Sequence, residues 1–294
     1  MRAKKRLLPE DNYFCELGYC CVLVKDFVKH YCNNDVANLF DFSFLKILDD
    51  EKFGDVGING GKKKYASVAN SKIAKAIYFI IFAEMIPKLS VEDLFGNSLY
   101  YKGVFLNEFS TLFSEDYSLK TINNIFSEDK YEKFRKRIAS FYNKINTIGN
   151  FIILPNLPIK KEENNYKNIN LSTFNNYFNF LLNELNKVFN NSRDKDYQLS
   201  LLVEANEFYF NSDFIDMNIL DFCNTNKVED YINDEFFNSL NIQNSFKYSD
   251  LIINKDLDIK DKFVDFANIY MDKTEQIIDK RSNYIISILK EKLV

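Results

Sequence analysis

Residues 259–292 read IKDKFVDFANIYMDKTEQIIDKRSNYIISILKEK, a long stretch without glycine or proline. Large apolar residues recur in it every seven positions, at Phe263, Tyr270, Ile277 and Tyr284. This spacing is typical of one face of a long amphipathic helix. Lys273 and Lys280 occupy the partner positions of the heptad and would interrupt a coiled-coil seam. We therefore predict a single long helix that packs against its own domain.

The rest of the chain also favours helices, because no glycine follows Gly149 and no proline follows Pro158. Long helices joined by polar turns are the simplest structure for such a sequence. In the second half, apolar periodicity predicts helices over residues 171–189, 194–210 and 213–222. In the first half it predicts helices over residues 12–31, 36–48, 71–85, 104–113, 119–126 and 128–146, and one extended segment, 150–154. The predicted fold class is mainly α, a multi-helix bundle-like architecture with little or no β-structure.

Charge divides the chain of 294 residues into two parts. Residues 1–160 contain 23 Lys and Arg against 19 Asp and Glu, a net charge of +4, whereas residues 161–294 contain 15 against 23, a net charge of −8. A polar stretch at residues 160–170 separates them. We predict a basic helical domain, 1–160, and an acidic helical domain, 161–294, with the alternative that the two pack as one unit.

The N-terminal region bears on targeting and on metal binding. Acidic residues 10 and 11 follow the basic start without an apolar segment, and the longest apolar run, residues 74–86, is too short to span a membrane. Four of the five cysteines and the only histidine, His30, lie within eighteen residues, on one predicted helix or at its end, where side chains on different faces cannot form a tetrahedral zinc site. We predict a cytoplasmic protein with reduced cysteines packed in its core, no membrane contact, no metal and no cofactor.

A glycine-rich loop is the first candidate site. Half of the eight glycines fall in residues 54–61, GDVGINGG, and three lysines follow at once. Glycine backbones can turn their N–H groups toward an anion, and the ammonium groups would add positive potential. The predicted anion ligands are Gly57, Gly60, Gly61, Lys62, Lys63 and Lys64. The spacing fits neither the nucleoside-triphosphate phosphate loop nor the dinucleotide fingerprint, and a connecting loop without a ligand is the alternative.

A second basic cluster, Lys133, Arg135, Lys136 and Arg137, lies on the predicted helix 128–146. Such a cluster can face an acidic protein surface, a nucleotide or a nucleic acid. The alternative is a helix face that is simply solvated. We predict these four residues as partner-binding.

Residues 147–155, TIGNFIILP, resemble the Thr-Ile-Gly-Asn-Phe-x-x-x-Pro segment of uncharacterised bacterial proteins. More distantly they are similar to the T-[IL]-G-N-L-x-L-L stretch of His-Asn-His nuclease domains in modification-dependent restriction enzymes. The chemistry of that nuclease family needs histidines as base and metal ligand, whereas Asn146 precedes this segment and His30 is the only histidine. The resemblance therefore implies a shared structural turn, in which Gly149 permits a helix C-terminus and Asn150 bonds local backbone.

Enzymatic chemistry is left with few starting points. A nucleophile system would have to use His30, which the pattern places on a helix beside Tyr31. Acidic residues two positions before a lysine, as in restriction-type nucleases, occur in residues 50–52, 128–130 and 258–260, all at predicted helix ends or turns. We predict a non-catalytic binding protein of bacterial or phage origin, and the resemblance alone suggests a role in genome defence or counter-defence. The alternatives are a metal-dependent enzyme acting on a nucleotide or nucleic acid, and a self-associating helical scaffold.

Overall fold

The computed structural model describes residues 9–54, 68–82, 104–108, 119–155, 223–237 except 225 and 236, and 257–293. This part of the chain is mainly α, as predicted. Its helices are α1 (Pro9–Tyr31), α2 (Lys72–Phe82), α3 (Leu119–Ile125), α4 (Glu132–Lys144), α5 (Glu229–Asn233) and α6 (Leu257–Lys292). Its strands are β1 (Val104–Glu108) and β2 (Phe151–Pro155). Short 3-10 helices lie at Val36–Leu39, Phe44–Ile47, Val68–Asn70, Asp129–Tyr131 and Ile148–Asn150.

Five predicted helices are confirmed within a few residues at their ends: α1, α2, α3, α4 and α6. The predicted helix at 36–48 is instead two separate 3-10 helices. The backbone explains the break, because the Phe44 N–H donates to the Asn146 carbonyl at 2.9 Å and not to a carbonyl of the preceding turn. The predicted helices between residues 171 and 222, and the predicted domain boundary at 160–170, lie outside the described residues.

The prediction of a helix at 104–113 is wrong for its first five residues, which form strand β1. This strand pairs antiparallel with β2, so that Val104 lies opposite Pro155 and Glu108 lies opposite Phe151. A run of valine, phenylalanine and leucine suits a strand as well as a helix, and pairing with a distant partner decides between them. The predicted extended segment at 150–154 is confirmed as β2.

Helix α6 is the central element of the described core. Its first part contributes Phe263, Tyr270 and Ile277 to an apolar cluster with α3, α4 and residues 223–237. Its last part contributes Ile285 and Leu289 to a second cluster with α1 and α2. The predicted apolar face is therefore confirmed up to residue 277, whereas Tyr284 is 38% exposed.

Helices α4 and α6 run parallel to each other. The Phe134 ring lies 6.2 Å from the Phe263 ring, and the Phe141 ring lies 6.3 Å from the Tyr270 ring. A step of seven residues along α4 therefore corresponds to a step of seven residues, in the same direction, along α6. Ion pairs along the same interface follow the same parallel order, since Arg137 pairs with Asp272 and Glu275, and Lys144 further along α4 pairs with Asp279 further along α6.

The lysines that interrupt the heptad pattern of α6 have carboxylate partners. Lys273 pairs with Asp234, and the Lys280 ammonium lies 2.7 Å from the Glu229 carboxylate. Lys280 also contacts Asp230 at 2.8 Å. These pairs hold residues 229–234 against α6, so this face of the helix is covered by its own chain.

No helix among the described residues has the length and apolar character needed to cross a membrane.

Segment 147–152 is buried between α6 and α2. The Arg281 guanidinium donates through Nε to the Gly149 carbonyl at 2.6 Å and through Nη2 to the Tyr78 hydroxyl at 3.0 Å. The Tyr78 hydroxyl donates in turn to the Ile148 carbonyl at 3.1 Å. The predicted local bond of Asn150 is confirmed, since its Nδ2 donates to the Ile145 carbonyl at 2.6 Å.

The reason predicted for Gly149 is wrong. Its φ angle is not in the left-handed region, and α4 ends earlier, at Lys144. A Cβ atom at this position would instead lie 2.9 Å from the Ser282 nitrogen, and closer still to the Ile278 carbonyl oxygen. Glycine is needed here because α6 passes directly over the backbone.

Candidate anion-binding site

The first predicted site, Gly57, Gly60, Gly61, Lys62, Lys63 and Lys64, lies outside the described residues and stays a prediction. Its two flanks are described. The Gly54 carbonyl accepts a hydrogen bond from the Lys72 N–H at 3.3 Å, and the Phe53 carbonyl accepts one from the Ile73 N–H at 3.1 Å. The next N–H, that of Ala74, donates to the Ser71 hydroxyl at 3.3 Å. The first N–H groups of α2 are therefore used within the protein, and this helix N-terminus is not the anion site.

All residues of the second predicted site are described by the structure. Its four cations, Lys133, Arg135, Lys136 and Arg137, lie on different sides of α4 and so have different neighbours. The helix buries Phe134, Ile138 and Phe141. Arg137 lies at the edge of that buried face, where its Nη1 and Nη2 donate to both Glu275 carboxylate oxygens at 2.6 and 2.8 Å. Nη2 also donates to the Asp272 carboxylate at 2.7 Å. The charge of Arg137 is thus neutralised inside the chain, by α6.

Arg135 is half-buried at the junction of α3 and α4. Its Nη1 donates to the Glu128 carbonyl at 2.8 Å and to the Phe126 carbonyl. Carbonyls just beyond a helix lack partners within that helix, so a cation is a suitable donor for them. These bonds fix the position of the guanidinium.

A shallow, open depression of about 450 Å³ lies beside this guanidinium. Its lining comprises Asn123, Ser127, Arg135, Lys136 and Ala139. All of these except Arg135 are exposed. Two cations, an amide and a hydroxyl therefore surround one space, which is a set of donors suited to an oxyanion.

Lys136 has an intrahelical partner, the Glu132 carboxylate, at 2.6 Å. The two side chains are 76% and 59% exposed, and ion pairs between exposed side chains contribute little to stability. An incoming anion can therefore replace Glu132 at little cost. Lys133 is also exposed, but it does not line the depression.

Two of the three acidic segments with nuclease-like spacing meet at the start of α6. The Lys260 ammonium lies 3.1 Å from the Glu128 carboxylate, and the Lys130 ammonium lies 3.1 Å from the Asp261 carboxylate. The Tyr131 hydroxyl donates to Asp261 at 2.8 Å, and this bond, together with Lys130, lowers the pKa of the Asp261 carboxyl. These carboxylates thus have lysines as partners, and the site resembles a structural ion-pair cluster.

The third such segment forms a turn. The Asp50 carboxylate accepts hydrogen bonds from the Tyr31 hydroxyl at 2.6 Å and from the backbone N–H groups of Lys52 and Phe53 at 2.8 and 2.9 Å. Across the ranges that the structure describes, no group of three or more His, Cys, Asp or Glu side chains could hold a metal ion.

The N-terminal histidine and cysteines lie on α1 and at its end. His30 is exposed, and its ring lies 4.8 Å from that of Tyr31. Cys20 and Cys32 are buried in the apolar cluster, which confirms the predicted core packing for these two. Burial raises the pKa of the Cys32 thiol to about 11 and, on the other side of the core, that of Cys223 to about 12.

Some of the residues that the structure singles out have no motif in the sequence. Asn123 and Ser127 are ordinary polar residues that reach the depression because α3 and α4 meet there. Arg281 does have a signal, since it lies four residues after Ile277, on the apolar face of α6. A charged residue at such a position indicates a buried polar contact, and Arg281 is 3% exposed.

Comparison with known proteins gives no relative from which a function can be transferred. No family model, no curated protein and no solved structure matches the chain. The residues themselves therefore carry the functional argument, and among the described ones the depression between α3 and α4 offers the set of polar groups best suited to a ligand.

Proposed function

We propose that the protein is a non-catalytic binding protein that engages an acidic partner protein through the α3–α4 surface, which comprises the depression and Lys133. The observation that carries this proposal is the pair of cations, Arg135 and Lys136, at an open depression. An open, polar recess suits contact with another macromolecule's surface better than enclosure of a substrate.

The charge balance favours an acidic protein over a nucleic acid. A duplex presents one phosphate per about 1.7 Å and needs an extended array of cations. On α4, Arg137 is neutralised by α6, and the Lys144 ammonium lies 2.5 Å from the Asp279 carboxylate. The whole chain carries a net charge of −4, which also opposes a long polyanion. A compact acidic group on a protein surface matches the cations that remain.

The predicted glycine and lysine loop supplies a second proposed contact, through Lys62, Lys63 and Lys64. This loop is positively charged, as the α3–α4 surface is, and would therefore attract the same acidic partner. A role in genome defence or counter-defence, which rests on the likeness of residues 147–155, is part of this proposal, as are a cytoplasmic location and a bacterial or phage origin. Replacing the three lysines with alanine is expected to weaken the complex with the acidic partner, which should itself be sensitive to salt.

The test is affinity capture from the native host with a double charge reversal, K133E/K136E. Both lysines are exposed, so the fold is expected to persist. The matched control is K25E/K29E, which reverses two exposed lysines on α1 and changes the net charge equally. The wild-type protein and the control should capture an acidic protein at about 50 mM salt and release it at about 300 mM, because screening shortens electrostatic range. The α3–α4 variant should not capture it.

Equal capture by both variants would refute the proposal. Two further measurements separate it from its alternatives. Turnover of a nucleotide or nucleic acid that requires Mg²⁺ or Mn²⁺ would identify an enzyme instead. A concentration-dependent increase in mass by light scattering, with no other protein captured, would identify a self-associating scaffold.

A further inference from the structure

We infer that the depression between α3 and α4 binds a phosphate monoester group carried by the partner. This inference rests on the proposed function and specifies the chemistry that the surface recognises. The four polar residues of the lining, Asn123, Ser127, Arg135 and Lys136, each supply a different kind of hydrogen-bond donor.

Arg135 provides a preformed fork. Its two backbone acceptors, the Glu128 and Phe126 carbonyls, are both bound through Nη1. Nε and Nη2 have no assigned acceptor among the residues that the structure describes. A guanidinium that is already held in place offers these two parallel donors without losing further side-chain freedom.

Lys136 provides the second positive charge beside that fork. Its bond to Glu132 spans one turn of an exposed helix face, so a phosphate group, which is more highly charged than a carboxylate, would replace Glu132 as the acceptor. Together, the two cations match a phosphate monoester, which carries a charge of about −1.5 to −2 at pH 7. A carboxylate carries only one negative charge, and so does the phosphodiester of a nucleic acid backbone.

The number of oxygens favours the same group. A carboxylate has two oxygens, and the Arg135 fork alone would occupy both. A phosphate monoester has three terminal oxygens, so Lys136 and the Ser127 hydroxyl or Asn123 amide also find acceptors. The volume of about 450 Å³ lies in the usual range for ligand sites and also admits the side chain that bears the phosphate.

The experiment titrates the full-length protein with small probes and follows binding by NMR. O-phosphoserine and adenosine monophosphate represent two sources of a phosphate monoester, and acetate and dimethyl phosphate are the singly charged controls. We expect both monoesters to bind at least about tenfold more tightly than either control. K136A should weaken O-phosphoserine binding at least about tenfold, and S127A should weaken it less but measurably.

The matched control is K120A, which removes the same charge from an exposed position of the neighbouring helix, α3, that does not line the depression. We expect it to change the affinity less than about twofold, because screening by water reduces the effect of a charge outside the site. An equal loss in K120A and K136A would overturn the inference, since the response would then be to general surface charge. Equal affinity for acetate and O-phosphoserine, or no phosphate binding, would also overturn it.

The outcomes for this inference and for the proposed function can be told apart. Loss of partner capture in K133E/K136E, with no binding of O-phosphoserine, would keep the proposed function and reject the phosphate site. Tighter binding of adenosine monophosphate than of O-phosphoserine would keep the phosphate site and reject a partner protein as its carrier.

Discussion

Replacing Gly149 with alanine tests the packing of α6 on segment 147–152. A Cβ atom added here would lie 2.9 Å from the Ser282 nitrogen and nearer still to the Ile278 carbonyl oxygen. Both of these are backbone atoms of α6, so rotation of a side chain cannot relieve the overlap. The helix itself has to move away from the segment.

The size of the effect follows from two contributions. Overpacking of a well-packed interior costs about 1–3 kcal/mol. Moving α6 also lengthens the bond from Arg281 Nε to the Gly149 carbonyl, now 2.6 Å, and a bond from a charged donor contributes about 1.5–3 kcal/mol. We therefore expect the free energy of unfolding to fall by about 2.5–6 kcal/mol, a large part of the roughly 5–15 kcal/mol available to a folded protein.

Urea unfolding followed by far-ultraviolet circular dichroism measures this change. With a slope of about 3 kcal/mol per M, the midpoint of G149A should fall by about 0.8–2 M. The control is G18A on α1, where an added Cβ meets nothing within 4 Å. Alanine is the better helix former, so G18A should raise stability by about 0.5–1 kcal/mol. A G149A protein within about 1 kcal/mol of the wild type would show that α6 does not pack this tightly on the segment.

Three further predictions concern charges and thiols. A double-mutant cycle on Arg137 and Glu275, whose side chains are 26% and 25% exposed, should give a coupling of about 1 kcal/mol in urea unfolding, and zero coupling would contradict the paired geometry. Because the pKa of Asp261 is lower in the folded protein, its ionised carboxylate stabilises the fold above the ordinary aspartate pKa, and this contribution is lost as the pH falls through the folded pKa. The stability of D261N should therefore depend less on pH below about 4. An unchanged pH profile would contradict the assignment. Cys32 and Cys223 should resist iodoacetamide at pH 8 until urea unfolds the protein, because burial raises their pKa values to about 11 and 12, and rapid alkylation of the native protein would contradict their burial.

Helices with an uninterrupted apolar pattern could be predicted from the sequence. The ends of α6 differ by at most two residues from the predicted 259–292, since 3.6-residue periodicity over many turns has few alternatives. Segments of about five residues were harder. Residues 104–108 became a strand because β2 lies beside them, and the sequence around Val104 carries no information about that neighbour.

The candidate site shows a similar limit. Spacing along α4 identified a basic cluster, but it did not show that Arg137 faces carboxylates of α6, 135 and 138 residues later in the chain. Nor did it show that Arg135 reaches back to the turn after α3, or that Asn123 and Ser127 lie beside it. Charge clusters are visible in a sequence, whereas the distribution of their charges between the core, the chain's own carboxylates and solvent depends on tertiary contacts.

The same contacts connect the depression to the core of the protein. Its shape depends on the angle between α3 and α4, and Arg135 holds the turn between them from one side. From the other side, the Lys260 ammonium donates to the Ile125 carbonyl at 3.0 Å and contacts Glu128 at 3.1 Å. The start of α6 therefore holds the last residues of α3 in place, and the other end of the same helix packs with α1 and α2. A ligand that draws Lys136 away from Glu132 would leave these contacts intact, so the proposed binding of an anion requires no rearrangement of the helices that form the depression.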